Sequence, residues 1–152
     1  MNVIEYCTEE VERQNHDIYY RDGIERVSWM LDAWCYALKT SASRLPTLTD
    51  ILQIGKLIEK KKNATGIRKV KVWVGDKSLP PPEIVQLMLD ELVARLNKNT
   101  SAFAFYRELL EIHPFVDGNG RTGKVVLNWI NGTLLEPIFP PSTFWGKPIR
   151  NP

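Results

Sequence analysis

The stretch HPFVDGNGRTGK at residues 113–124 brings a histidine, a carboxylate, an amide, two cations and three glycines into one short segment. Gly118 and Gly120 leave the backbone free to adopt positive φ angles, so its N–H groups can approach an anion closely. A segment of this composition is typical of a loop that holds the phosphates of a nucleotide.

Helical patterns flank this loop on both sides. Upstream, apolar residues at i, i+3, i+4 and i+7 predict a helix from about Thr100 to Ile112, which delivers His113 to the rim of the loop. Pro114 ends that helix, because a proline pushes the preceding residue out of the α region. A second helix should follow Arg121 and end at a glycine cap, Gly132. Bound phosphate would then meet a helix N-terminus, where the dipole is positive.

The loop resembles the signature of the Fic (filamentation induced by cAMP) family, His-Pro-Phe-x-(Asp/Glu)-Gly-Asn-(Gly/Lys)-Arg, at every defined position. The resemblance extends to Gly66-Ile67-Arg68, which is similar to part of the family's flap, and to Pro80-Pro81-Pro82 before the following helix. It implies a mainly α fold, a Fic-type helical bundle with a small β-hairpin flap. It also implies a single Fic domain over residues 1–152, with a core at about 28–144, an N-terminal helical extension at 1–27 and a Pro-rich C-terminal tail at 137–152.

The resemblance implies a protein adenylyltransferase, which transfers AMP from ATP to a Ser, Thr or Tyr hydroxyl of a target protein. His113 would be the general base, since an imidazole titrates near pH ~6.5. Asp117 would ligate Mg²⁺, a hard cation that binds carboxylates and phosphate oxygens. Asn119 would contact the α-phosphate, and Arg121 the β-phosphate through its planar fork of donors. The implied nucleotide site comprises Phe115, Gly118, Asn119, Gly120, Arg121 and Lys124.

Phe115 and Lys124 have distinct expected roles in this segment. Phe115 is the one large apolar residue of the loop, and we expect it to anchor the loop to the core. Lys124 stands where the family has a second arginine, which contacts the γ-phosphate and can pair with an inhibitory glutamate. Lysine keeps the positive charge but loses the bidentate fork.

The period of the sequence changes to two between Ile67 and Val74, which predicts a strand. In the family this flap docks an extended target segment, and an exposed strand edge can do so by β-addition. The expected target-docking residues are Ile67, Arg68, Val70, Val72 and Val74.

Self-inhibited relatives carry Ser/Thr-x-x-x-Glu-(Gly/Asn), and this chain offers an imperfect match from Thr8 to Glu12, followed by Arg13. Glu12 is therefore the candidate inhibitory residue. Three alternatives stay open: a degenerate N-terminal inhibitor, a separate antitoxin protein that supplies the glutamate, or no inhibition.

The remaining elements are predicted from periodicity and caps. A first helix is weakly marked from Thr8, and a third should be capped by Thr47 or Thr49. A fourth should run from about Pro82 to Asn97. The second helix should bury Ile24, Val27, Leu31, Trp34 and Leu38, and the third Ile51, Ile54 and Ile58.

Composition narrows the class of protein. Twenty basic and 18 acidic residues leave a net charge of +2, which is too small to argue for nucleic acid on charge alone, and we expect no nucleic acid partner. Cys7 and Cys35 lack zinc-site spacing, and no apolar run approaches a membrane span. We therefore expect a cytoplasmic protein without a membrane partner, in which Lys60–Lys62 form a solvated helix end.

Other functions remain as alternatives. Fic relatives with a kinase-like reaction bind the nucleotide reversed and often carry lysine at the second glycine, so Gly120 favours AMP transfer. Transfer of another nucleoside monophosphate is a related alternative. A degenerate Fic module that binds nucleotide or partner without turnover is the alternative from another class.

Overall fold

Six α-helices and one two-stranded antiparallel sheet form residues 1–141, the part of the chain that the computed structural model describes. In chain order these are α1 (Val3–Arg13), α2 (Arg21–Ser41), α3 (Leu48–Ile58), β1 (Trp73–Val74), β2 (Lys77–Ser78), α4 (Pro82–Ala94), α5 (Ala102–Ile112) and α6 (Asn119–Asn131). The predicted mainly α fold with a small β-hairpin is confirmed. The predicted tail beyond Pro141 lies outside the described residues.

Local signals account for the starts of the helices. Thr47 caps α3 in a capping box with Asp50, as one of the two predicted caps. The first helix starts at Val3 and not at Thr8, because Asn2 and Glu5 form a second capping box.

Helix α6 is the central helix, and its residues from Asn119 to Trp129 are all buried. It packs against α5, α2 and α3. The predicted cap at Gly132 is confirmed, with φ of 71°. Because α6 is surrounded, the loop that precedes it is held by several elements at once.

Helix α2 buries Trp34 as predicted, whereas the predicted Val27, Leu31 and Leu38 are only partly buried. Ile24 is exposed, whereas Arg26, Met30, Ala33 and Ala37 are buried. The small side chains of Ala33 and Ala37 let neighbouring helices approach closely, and Arg26 tolerates burial because a buried carboxylate pairs with it. Periodicity could not anticipate a buried arginine.

The apolar stripes of α3 and α5 agree with the sequence. Ile51, Ile54 and Ile58 of α3 are fully buried. All the predicted apolar positions of α5 are buried as well: Ala102, Phe105, Tyr106, Leu109 and Ile112. These two helices form the walls on which the loop at 113–118 rests.

The predicted strand from Ile67 to Val74 is much shorter in the structure. Only Trp73 and Val74 pair, with Ser78 and Lys77 respectively, around a turn in which Gly75 has a φ of 62°. Residues 67–72 form no strand: Arg68 N–H donates to Pro114 O, which ties this segment to the loop, and its guanidinium donates to Val70 O within the segment.

The residues after α6 return across α1. Tyr6 Oη donates to Ile138 O at 2.8 Å, and its ring stacks on Phe139 at a centroid distance of 4.0 Å. Tyr6, Cys7 and Val11 of α1 belong to the main hydrophobic cluster. Helix α1 is therefore packed firmly enough to bring its polar residues into the interior. Among residues 1–141, no helix is both long and apolar enough to cross a membrane.

Candidate phosphate-binding site

Phe115 anchors the loop between α5 and α6. Its ring is fully buried against Gly55 of α3, where an added β-carbon would lie 2.2 Å from Cζ of the ring. Residue 55 must therefore be glycine for the ring to occupy this place. The buried ring therefore anchors the loop to the core, as the sequence led us to expect.

Asn119 shapes the loop from within. Its Oδ1 accepts from Phe115 N–H at 2.9 Å, and its Nδ2 donates to Phe115 O at 2.9 Å. The Asn119 amide is buried, and one of the two hydrogens on its Nδ2 is used by Phe115 O, so the predicted contact with the α-phosphate would need the second hydrogen. The structure thus gives Asn119 the task of folding the loop.

His113 ends α5 in the left-handed conformation, with φ of 53°. Its Nδ1 lies 3.2 Å from Leu110 O. A carbonyl can only accept, so Nδ1 carries the proton and Nε2 of the neutral ring is the acceptor. Burial lowers the pKa of His113 below its ordinary value, outweighing the effects of the Leu110 carbonyl and Asp117. The ring is thus suited to accepting a proton at neutral pH.

Arg68 holds the end of α5 in place. Its guanidinium donates to His113 O at 2.6 Å and Ile112 O at 3.2 Å, and also to Pro80 O at 2.7 Å. The side chain is buried, which corrects its assignment to the target-docking surface. Its donors saturate carbonyls of α5 and of the flap, so a docked segment would not meet them.

Asp117 lies on the open side of the loop, where the sequence places a metal ligand. Its Oδ2 accepts from Lys62 Nζ at 2.7 Å, and its Oδ1 accepts from Gly118 N–H. Burial raises the pKa of Asp117, but these two bonds and the charge of Arg121 outweigh it, so the pKa is lowered. Lys62, which was expected only to be solvated, is thus the cation that pairs with the carboxylate of Asp117.

Arg121 is held by a carboxylate that the sequence did not single out. Its Nη1 lies 2.9 Å from Glu59 Oε2, and the side chains of both residues are 1% exposed. Arg26 of α2 grips the same carboxylate, with Nε 2.7 Å from Oε2 and Nη2 3.2 Å from Oε1. Two guanidinium groups therefore share one buried carboxylate next to the loop.

Lys124, one turn further along α6, pairs with α1. Its Nζ lies 2.8 Å from Glu10 Oε2 and donates to Tyr106 Oη at 3.3 Å. Burial lowers the pKa of Lys124, but the carboxylate of Glu10 outweighs it, so the pKa is raised. Glu12, the predicted inhibitory residue, is exposed on the other face of α1. The residue that reaches the second cation is therefore Glu10, which corrects that prediction.

The loop backbone has the form that an anion site needs. Gly118 has a φ of 74° and caps α6, and a β-carbon there would lie 2.5 Å from Ile58 Cγ2. The N–H groups in the first turn of α6, including that of Gly120, have no acceptor within the helix and form the positive end of its dipole. A phosphate can therefore be received by backbone donors together with the side chains of the loop.

The structure brings most of the predicted site residues together. It also adds five residues to the site: Glu10, Arg26, Glu59, Lys62 and Asn63. Asn63 is buried and donates to Asp117 O at 2.8 Å. Only the charge of Glu59 between two apolar helical patterns could have drawn attention to it. Within residues 1–141, no group of three or more His, Cys, Asp or Glu residues could hold a metal ion, so Mg²⁺ would need ligands from the nucleotide as well as Asp117.

Comparison with known proteins agrees with this loop. A model of the Fic/DOC family matches residues 45–131, which is more than half of the chain. The protein belongs to the Fic/DOC family.

Three relatives illustrate the similarity. The chain is 37% identical over 84 residues to protein adenylyltransferase fic-1 of Caenorhabditis elegans, and 34% identical over 83 residues to protein adenylyltransferase Fic of Drosophila persimilis. Each alignment covers 49% of this chain and 16% of the relative, so the chain spans about a sixth of their length. The structure "Fic-1 (aa134 - 508 E274G) from C. elegans" superposes with a TM-score of 0.64 and 24% identity, covering 88% of this chain and 44% of that one. The last likeness establishes the fold.

Proposed function

We propose that this protein transfers AMP from ATP to a hydroxyl group of a target protein. The observation that carries the proposal is His113, which ends α5 at the loop with Nδ1 bonded to Leu110 O and Nε2 left as the acceptor. A base in this state can take the proton of a Ser, Thr or Tyr hydroxyl, whose oxygen then attacks the α-phosphate and displaces diphosphate. The names of the similar adenylyltransferases support the same reaction.

The phosphates would lie at the N-terminus of α6. The backbone N–H of Gly120, in the first turn of α6, would stabilise charge that develops on the α-phosphate. Arg121 would contact the β-phosphate and Lys124 the γ-phosphate. Asp117 fits Mg²⁺, since its carboxylate is ionised and partly accessible, and the ion would neutralise phosphate charge when bound. Lys62 must then leave Asp117.

The target would lie along the flap. Val70, Trp73 and Val74 are all partly or largely exposed there. An extended segment of the target could add to this edge through its backbone, which would place its hydroxyl near His113 with little demand on target sequence.

Helix α1 would act as a built-in inhibitor. Glu10 forms an ion pair with Lys124, so the γ-phosphate would have to displace this buried carboxylate before the triphosphate could bind productively. This arrangement favours the internal inhibitor over a separate antitoxin partner, because this chain supplies the carboxylate itself.

The test is labelling of target proteins in a cell lysate with Mg²⁺ and with ATP labelled at either the α- or the γ-phosphate. Glu10→Gly should be included to relieve inhibition. His113→Asn removes the base while placing a residue that tolerates the left-handed conformation at this position. Protein-bound α-label that requires His113 is expected. Label from γ alone would indicate a kinase-like reaction, and nucleotide binding without any label would indicate a binding module.

A further inference from the structure

Glu59 lies outside the loop signature, at the C-terminal cap of α3, yet it contacts the loop's most buried cation. Arg26 already provides this carboxylate with a two-point partner, through Nε to Oε2 and Nη2 to Oε1. Arg26 therefore holds the Glu59 carboxylate in place beside Arg121.

The contact uses only one nitrogen of Arg121. Glu59 accepts from Nη1, whereas Nε is buried and has no hydrogen-bond partner among residues 1–141. Nη2 lies 3.6 Å from Asp117 Oδ1, beyond hydrogen-bond distance. Nε–H and Nη2–H form the side edge of a guanidinium, which donates two parallel bonds to one phosphate or carboxylate. That edge is the part of Arg121 left available.

The edge is turned towards the loop. Nη2 lies 3.4 Å from the place a β-carbon would take at Gly118, the residue whose positive φ opens the loop backbone. A buried donor without a partner is costly, which is a reason to expect a ligand there.

We propose that Glu59, held by Arg26, is the positioning residue for Arg121: it fixes Nη1 so that the Nε and Nη2 edge faces the β-phosphate of a bound nucleotide. The inference rests on the proposed function only in requiring that a nucleotide binds at the loop. It does not require turnover. It assigns a site role to two residues that lie outside the sequence signature, Glu59 and Arg26.

The test compares the dissociation constants of ADP and AMP by calorimetry without added Mg²⁺, so that the β-phosphate is the only difference. The ratio Kd(AMP)/Kd(ADP) is taken within one protein preparation, so an unfolded fraction alters the stoichiometry and not the ratio. We expect a wild-type ratio well above one, and a fall of about tenfold in Glu59→Gln, comparable to the loss of a charge-assisted bond. Glu59→Asp, which keeps the charge but not the reach, should give a smaller fall and serves if the glutamine variant is unstable.

Two controls separate positioning from general damage. Glu25→Gln removes a glutamate of α2 that pairs with exposed Arg21, and its ratio should equal the wild-type ratio. In an Arg121→Lys background, which lacks the fork, Glu59→Gln should change the ratio no further.

The outcomes are distinct from those of the labelling assay. An unchanged ratio in folded Glu59→Gln, or an increase that would make Glu59 a competitor of phosphate, overturns the inference while AMP transfer stands. A wild-type ratio of one also overturns it. Conversely, a ratio that depends on Glu59 in a protein that never labels a target would support the inference and refute the proposed transfer.

Discussion

Replacing Glu10 by glutamine tests the ion pair between Glu10 of α1 and Lys124 of α6. The Lys124 Nζ to Glu10 Oε2 distance is 2.8 Å, and the two side chains are 3% and 0% exposed. Removing one partner of a buried pair costs about 3–5 kcal/mol, because the other charge remains buried without compensation. Glutamine keeps an acceptor oxygen, so we expect about 3 kcal/mol. For a domain of this size that is a fall in Tm of roughly 6–12 °C.

The same change should increase nucleotide use. With the carboxylate gone, Lys124 is available to the γ-phosphate, and α-label on target proteins should rise by about tenfold, since one charge-assisted competitor has been removed. ATP should also raise the Tm of Glu10→Gln more than that of the wild type, because its phosphate restores a negative partner to Lys124.

Glu12→Gln is the matched control, with the same chemical change on the same helix. Glu12 is exposed, so its Tm should stay within about 2 °C of the wild type, consistent with a surface change of less than about 0.5 kcal/mol, and labelling should not change. The reasoning is refuted if Glu12→Gln activates the enzyme, or if Glu10→Gln changes neither Tm nor labelling.

Phe115, Lys62 and His113 can each be tested by one measurement. Phe115→Ala should destabilise the protein by about 3–5 kcal/mol in urea unfolding, because it empties the space beside Gly55, whereas the half-exposed Val116→Ala should be nearly neutral; equal effects would contradict the anchor. Lys62→Ala breaks the ion pair with Asp117, whose side chains are 49% and 35% exposed, so stability should change by less than about 1 kcal/mol. The Mg²⁺ concentration for half-maximal labelling should fall, because Lys62 no longer competes for Asp117. A higher Mg²⁺ requirement would show that Lys62 assists the site. Because the pKa of His113 is lowered, its ring stays neutral at pH values below the ordinary histidine pKa of ~6.5. The acid limb of the kcat/KM profile should therefore have its midpoint below pH ~6.5, and a midpoint above that pH would count against a buried neutral base.

The parts of the fold that depend on residues close together in the sequence could be predicted from it. The stripe of α5 and the caps at Thr47 and Gly132 involve residues within a few positions of each other, and they were predicted correctly. The strand at 67–74 was overestimated, because alternation favours an extended chain but cannot supply a partner strand. Arg68 shows the same limit, since its burial depends on carbonyls of α5 that are 44 and 45 residues away in sequence.

The sequence by itself determined the family loop, the helical class and the cations and carboxylate from which a phosphate site can be built, because these are encoded in one contiguous segment with short-range spacing. Tertiary structure alone decided which charges face each other. Glu59 meets Arg121 across 62 positions and Lys62 meets Asp117 across 55, while Glu10 rather than Glu12 reaches Lys124 because α1 packs with that face inward. The free energy of a buried ion pair depends on distance and desolvation, and both are fixed only when the helices have packed.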